Sequence, residues 1–142
     1  MSKSVIFRSI FILALSAGAV QAQTTHTLPN GDVVTNQRSD VGGVYNDQRT
    51  ITTPKGGMVT NDRTVEKGLS TDTRTGKNAA GGSFSNDRTV TKGSYTDDRT
   101  VDKANGATYN SQRTVTAGQA THSWSGTTAK GEAFSGSHSS RR

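Results

Sequence analysis

The sequence predicts an all-β protein, a repetitive antiparallel β-meander of about ten short strands built from a 25-residue hairpin repeat. The first observation is a series of arginines whose spacings alternate between 11 and 14 residues: Arg38, Arg49, Arg63, Arg74, Arg88, Arg99 and Arg113. The second is glycine at fixed offsets between them. The third is a period-two alternation rich in Thr, Val, Tyr and Phe, which favour strands. The pattern fits an open sheet or a barrel, and a β-solenoid is the alternative.

Residues 1–22 precede the repeat and have the layout of a secretory signal peptide. Lys3 and Arg8 come before an apolar run at 10–15, and small residues then lead to Ala22. The apolar run is shorter than the roughly 20 residues that a membrane-spanning helix needs. We therefore expect cleavage after Ala22, no membrane span in the mature form, and a periplasmic, extracellular or cell-surface location.

The chain after Ala22 is polar and mildly basic. It carries 15 Lys and Arg against 11 Asp and Glu, a net charge of +4. Leu, Ile, Val and Phe number 14 of its 120 residues, well below the level of about 20% that usually builds a core. Composition alone would indicate disorder, but a disordered chain needs no regular spacing. The absence of cysteine excludes a disulfide.

The repeat divides the rest of the chain. We predict a β-repeat domain at 23–134 and a flexible Ser/Gly/Arg tail at 135–142. The four full repeats are 31–55, 56–80, 81–105 and 106–130.

Glycines predict two kinds of turn. Two-residue hairpin turns are predicted at Gly42-Gly43, Lys67-Gly68, Lys92-Gly93 and Ala117-Gly118. Three-residue loops with glycine third, where a left-handed residue is needed, are predicted at 29–31, 54–56, 79–81, 104–106 and 129–131.

These turns fix which residues face each other. A turn at Lys92-Gly93 places Arg88 opposite Asp97, and the three-residue loops give compatible registers. A structural charge row is therefore predicted across the sheet: Arg38, Asp47, Arg63, Asp72, Arg88, Asp97 and Arg113, followed by His122. The next row reads Asn36, Arg49, Asn61, Arg74, Asn86, Arg99, Ser111 and Trp124. We expect each aspartate of the charge row to bridge arginines on both sides.

A solenoid with one repeat per coil would instead stack arginine on arginine and aspartate on aspartate, about 4.8 Å apart. Like charges directly opposed destabilise a sheet, whereas opposite pairs contribute about 0.2–1 kcal/mol each. The meander is therefore favoured.

Threonines dominate the opposite face. We expect one row with Thr35, Thr60, Thr71, Thr96 and Thr121, and another with Ser39, Thr50, Thr64, Thr75, Thr89, Thr100, Thr114 and Ser125. A row of Asp and Gln is expected beside them.

No motif indicates catalysis, a cofactor or a metal centre. His26, His122 and His138 lack the spacing of metal ligands, although His122 would face His138 across the last loop. Aromatic residues and arginines share one face, and its candidate ligand or partner residues are Arg49, Arg74, Arg99, Tyr95, Tyr109 and Trp124. Such a mixture can bind single-stranded nucleic acid. The small net charge and the arginines already facing aspartates disfavour that partner.

Two functions remain. A secreted, non-enzymatic protein of matched repeats suits self-association through sheet edges as a matrix or surface component. In this the chain is similar in kind to bacterial functional amyloid subunits such as the curlins, although it lacks their Ser…Gln-x-Gly-x-Gly-Asn…Gln pattern. The alternative is a periplasmic or extracellular module that binds an anionic surface polysaccharide, lipopolysaccharide or a protein partner.

Overall fold

A computed structural model describes residues 9–11 and 20–141 of the chain. They form one sheet of eleven strands in sequence order, each antiparallel to the next. The strands are β1 Ser9–Phe11, β2 Val20–Thr27, β3 Val33–Val41, β4 Val44–Thr52, β5 Met58–Glu66, β6 Leu69–Lys77, β7 Ser83–Thr91, β8 Ser94–Asp102, β9 Thr108–Thr116, β10 Gln119–Thr127 and β11 Ala133–Arg141. The sheet is not closed into a barrel. The predicted antiparallel meander is confirmed in its open form, and the solenoid alternative is wrong.

The described residues contain no helix. None of them therefore forms a helical segment of the length and hydropathy needed to cross a membrane.

The two-residue turns lie where the glycines predict them, in two backbone forms. Gly42 and Gly43 both have positive φ, and so do Ala117, at 48°, and Gly118, which is the pattern of a type I′ turn. In the Lys67-Gly68 and Lys92-Gly93 turns only the glycine has positive φ. Glycine is needed at these second positions because side chains rarely tolerate the left-handed region.

The five three-residue loops share one hydrogen-bond pattern. In the loop at 79–81, Asn78 N–H donates to Gly82 O at 2.9 Å, and Gly81 N–H donates to Asn78 O at 3.2 Å. The same pair of bonds recurs at each of the other four loops. The third residue is always glycine, with φ between 83° and 90°.

Strand registers agree with those computed from the turns. Arg63 lies opposite Asp47 on one side and Asp72 on the other. The grouping of the threonines was wrong: Thr35 lies opposite Thr50, and Thr71 lies opposite Thr64. Successive strands run in opposite directions, so a residue before the centre of one strand meets a residue after the centre of the next.

Strands at both ends of the described residues extend the sheet. The ten strands from β2 onward match the predicted number, and β1 is a short addition that pairs with β2. Most of the predicted signal peptide, residues 1–8 and 12–19, lies outside the described residues, so it stays a prediction. The flexible tail predicted at 135–142 is corrected: residues 135–141 lie in β11, paired along its full length with β10.

The sheet is a single layer with almost no core. Of residues 21–141, only Val34, Gly57 and Gly82 are buried. The chain exposes 10616 Å², whereas a compact monomer of 15.0 kDa exposes about 7,000 Å². Both faces of the sheet are therefore left without a second layer.

Candidate partner-binding faces

Alternation along each strand sorts the side chains onto two faces. The central residues of β2 to β11, which we call the central row, are Gln23, Gln37, Gln48, Asp62, Thr73, Asp87, Asp98, Gln112, Ser123 and Ser137. Residues one and three positions from the centre form the arginine face. The central row and residues two and four positions from it form the threonine face. All the predicted site residues lie on the arginine face.

The charge row is aligned as the registers require, but its side chains do not form a continuous chain of bridges. Within residues 21–141, Arg38 and Asp47 make the one Arg–Asp ion pair, with Nε 3.0 Å from Oδ2. The Arg38 side chain is 62% exposed and that of Asp47 is 23% exposed. An ion pair at this exposure contributes little to stability.

Two aspartates of the charge row accept hydrogen bonds from tyrosine and asparagine side chains at positions where arginine was expected to bind them. Tyr95 Oη donates to Asp97 Oδ2 at 2.7 Å, and Asn86 Nδ2 donates to Asp97 Oδ1 at 2.6 Å. Tyr45 Oη likewise donates to Asp47 Oδ2 at 3.1 Å. The hydrogen bond to Asp97 raises the pKa of the Tyr95 hydroxyl, burial and the carboxylate charge raise it further, and the neighbouring arginines oppose them.

Three arginines that make no ion pair with aspartate lie over aromatic rings. Arg88 Cζ is 5.1 Å and Arg113 Cζ is 6.0 Å from the centre of the Tyr95 ring. Arg74 Cζ is 5.6 Å from the centre of the Phe84 ring. These are distances at which the ring quadrupole attracts a cation. Each such guanidinium keeps its charge available to a partner.

Arg49 and Arg99, two of the predicted partner residues, are exposed. Arg49 lies between Asn36 and Asn61 in the second row. These neighbours carry no charge, so this part of the face remains cationic.

The C-terminal end of the arginine face is aromatic. The rings of His122 and Trp124 are 5.1 Å apart, and those of Tyr109 and Phe134 are stacked at 6.5 Å. His122 lies opposite His138 as predicted, and its Nε2 is 2.9 Å from Ser111 Oγ. A hollow of about 440 Å³ has Asp97, Arg99, Arg113, His122 and His138 in its lining, so one acidic, two cationic and two imidazole groups border it.

Three aromatic–glycine pairs were not predicted. Phe84 lies opposite Gly76, Phe134 opposite Gly126 and Trp124 opposite Gly136. A Cβ added at any of these glycines would overlap the facing ring. The signal was present in the sequence, because the registers already paired each glycine with an aromatic residue, and aromatic side chains cover cross-strand glycines in sheets.

The threonine face is held by hydroxyl contacts and carries acids at its centre. Thr64 Oγ1 donates to Asn46 Oδ1 at 2.8 Å, and the hydroxyls of Thr108 and Thr127 are 3.0 Å apart. In the central row Asp87 lies directly opposite Asp98. Asp62 Oδ1 is shielded from solvent and accepts no hydrogen bond.

Neither face has the features of a metal centre. Within residues 9–11 and 20–141, no three or more His, Asp or Glu side chains lie together as metal ligands would. The candidate binding surfaces are the two extended faces of the sheet. One carries arginines and aromatic rings, and the other carries hydroxyls and a central row that contains acids. No family model, curated protein or solved structure matches the chain.

Proposed function

We propose that the chain is a secreted, non-enzymatic structural protein that self-associates through the edges of its sheet into an extracellular or cell-surface material. The observation that carries the proposal is the open edge of β11. This strand is nine residues long, exposed on almost its whole length, and free of proline. Its one charged residue is Arg141, at its end. Prolines and charged residues normally protect an edge strand from pairing with another chain. A long edge strand without them is a template for such pairing.

The free edge of β11 presents a regular set of donors. Thr128 N–H donates to Glu132 O at the loop before β11, and hydrogen-bonded pairs then alternate with non-hydrogen-bonded pairs along an antiparallel ladder. By this alternation Ser135, Ser137 and Ser139 direct their N–H groups away from β10. The N–H groups of the intervening residues are used by β10.

The edge of β2 is complementary to that of β11. By the same alternation, Gln23, Thr25 and Thr27 direct their N–H groups away from β3. These residues and the serines of β11 all belong to the threonine face. Ten alternating strands also place β2 antiparallel to the β11 of a preceding copy. Joining β11 to β2 therefore continues the meander with each face kept on its own side.

Export would uncover the β2 edge. In the full chain β1 pairs with β2 through Ser9, Ile10 and Phe11, all within the predicted signal peptide. Cleavage after Ala22 removes this cover together with residues 20–22 of β2 and leaves Gln23, Thr25 and Thr27 at the exposed edge. Assembly would thus be confined to the mature chain.

A proline in β11 tests the proposal. Ser137→Pro removes an outward donor without breaking a bond to β10, because proline is accepted at an edge position whose N–H faces outward. The control Ser137→Ala keeps that N–H. Sedimentation of the mature chain should show large particles for the wild type and Ser137→Ala, and at least tenfold fewer for Ser137→Pro. A wild-type chain that stays monomeric after long incubation, with no thioflavin response, would contradict the proposal.

A second candidate function is a module that binds an anionic polysaccharide, lipopolysaccharide or a protein partner. It is favoured by the exposed Arg49 and Arg99 and by the hollow beside Arg113. Its mark would be saturable binding of the monomer to lipopolysaccharide that weakens with salt. Arg49→Gln with Arg99→Gln should then reduce affinity, and an unchanged affinity would exclude this face.

A further inference from the structure

We infer that copies of this chain also stack face to face, the arginine face of one copy lying on the threonine face of the next; the inference rests on the proposed self-association. Between β2 and β11 the arginine face carries seven Arg against Asp40, Asp47, Asp72 and Asp97, a net charge of +3 with His neutral. The threonine face carries Asp62, Glu66, Asp87, Asp98 and Asp102 against Lys77 and Arg141, a net charge of −3. The two faces of one sheet are therefore electrostatically complementary.

The two acids at the centres of β7 and β8 have no cation beside them in the central row. Asp87 and Asp98 are exposed and lie directly opposite each other, an arrangement that destabilises an isolated sheet. Their outer neighbours in the central row are Thr73 and Gln112, which carry no charge. A guanidinium from a second copy would supply the missing counter-charge.

The pleats of the two faces fit together. On the threonine face, rows lie at the strand centre and two positions to each side, whereas on the arginine face they lie one and three positions to each side. One residue corresponds to about 3.3 Å along a strand. When copies stack in register, the acidic central row therefore enters the groove between the two arginine rows. The threonine rows enter the grooves between the arginines and the flanking apolar rows.

Charge also selects the orientation of the stack. Two arginine faces brought together would oppose their seven arginines, and two threonine faces would oppose their aspartates. Contact between unlike faces avoids both clashes. Since each copy then uses a different face on each side, the contact is heterologous and open-ended.

The area is sufficient for a stable contact. Nine strands of nine residues, β3 to β11, cover about 30 Å by about 43 Å. Two such faces in contact bury roughly 2,500 Å² in total, above the roughly 1,600 Å² of a standard interface.

Neutralising the opposed aspartates tests the inference. Asp87→Asn with Asp98→Asn should raise the urea midpoint of the monomer, because it removes a like-charge pair, and should lower lateral association at least tenfold. The control Asp32→Asn with Glu132→Gln makes the same change in net charge in the loops and should associate as the wild type does. A variant that is more stable in urea but associates less cannot owe its weaker association to misfolding.

Fibre diffraction and sedimentation separate the stacking inference from the proposed edge pairing. The wild type should give a strand spacing of about 4.8 Å and a sheet spacing of about 10 Å, and high salt should disperse the stacks. Wild-type filaments one sheet thick, or stacks unchanged in the Asp87/Asp98 double variant, would overturn the stacking and leave edge pairing intact. A wild type that forms no particle at all would overturn both.

Discussion

Two hairpins of this sheet reach the same geometry with different side chains. In β6–β7, near the centre, Asp72 faces Arg88 and Arg74 faces Asn86. At the equivalent positions of β10–β11, 50 residues later, His122 faces His138 and Trp124 faces Gly136. Both hairpins have nine-residue antiparallel strands paired along their full length. The register therefore does not depend on the arginines and aspartates.

The two hairpins share their loop. Asn78 and Thr128 make equivalent backbone bonds to the residue four positions on, and Gly81 and Gly131 have φ of 90° and 83°. In each loop the side chain of the first residue also accepts a backbone N–H, from Gly82 to Asn78 Oδ1 and from Glu132 to Thr128 Oγ1. The loop, with its obligatory glycine, sets the pairing. The side chains on the arginine face are then free to serve a partner.

The largest effect is expected from the shared glycine. Gly81→Val and Gly131→Val each force a β-branched residue into the left-handed region, which costs about 2 kcal/mol. Urea unfolding of the monomer should show a similar loss for both if the loop acts alike in both hairpins. Ala80→Val, in the same loop at a residue without positive φ, is the control and should change stability little. A large loss of stability in Gly81→Val with none in Gly131→Val would contradict the claim that the loop acts alike in both hairpins.

A smaller effect is expected in the charge row. Asp72→Arg would place three cations side by side with Arg63 and Arg88, and should lower stability by about 1.5 kcal/mol. Asp72→Asn keeps the shape without the charge and should cost less. Urea midpoints in the reverse order would count against the register.

The Tyr95 hydroxyl should contribute about 1 kcal/mol through its bond to Asp97. Tyr95→Phe removes that bond and should lower stability by this amount. Tyr109→Phe, whose ring stacks on Phe134 at the terminal end, is the matched variant and should change stability less. Equal losses from the two variants would show that the hydroxyl bond is not special to the central hairpins.

The same hydrogen bond predicts that the stability of the fold decreases at alkaline pH. Because Asp97 raises the pKa of Tyr95 above the ordinary value of about 10, the folded state favours the protonated hydroxyl. The stabilisation is fully present below the unfolded pKa and is lost as pH rises through the folded pKa. Titration of tyrosinate absorbance should show a step above the ordinary value that belongs to Tyr95, and that step should vanish in Tyr95→Phe. Ionisation of Tyr95 at or below the ordinary value would contradict the assignment.

The smallest effect is a gain. Ala117 has φ of 48°, a conformation that costs an L-residue about 1–2 kcal/mol. Ala117→Gly removes this conformational cost, but glycine also increases the conformational entropy of the unfolded chain, which offsets part of the gain. A net increase in stability of about 0.5 kcal/mol is therefore expected. Gly42 at the equivalent turn makes Gly42→Ala the reverse test, and a stabilising Gly42→Ala would contradict it.

The registers could be predicted because each glycine fixes the position and length of a turn. The position and length of the turn then determine which residues of the two flanking strands face each other. The side-chain contacts could not, since Asp97 has several donors in reach and only the rotamers decide that Tyr95 and Asn86 prevail over arginine. The strand at 135–141 was missed because Ser and Gly locally indicate a loop, whereas pairing with β10 imposes the strand. The charge difference between the faces followed from the registers and needed no side-chain detail.

Cross-strand NMR contacts in a chain with Asp47, Asp72 and Asp97 all changed to Asn test most directly whether the turns set the register. If they do, Arg63 will keep its Hα–Hα contact with residue 72 and its backbone amide contact with residue 47, as in the wild-type pairing. Loss of those contacts in the variant would show that charge sets the register. Contacts between residues 63 and 88 in the wild type would show that the chain is wound in coils and that the meander is wrong.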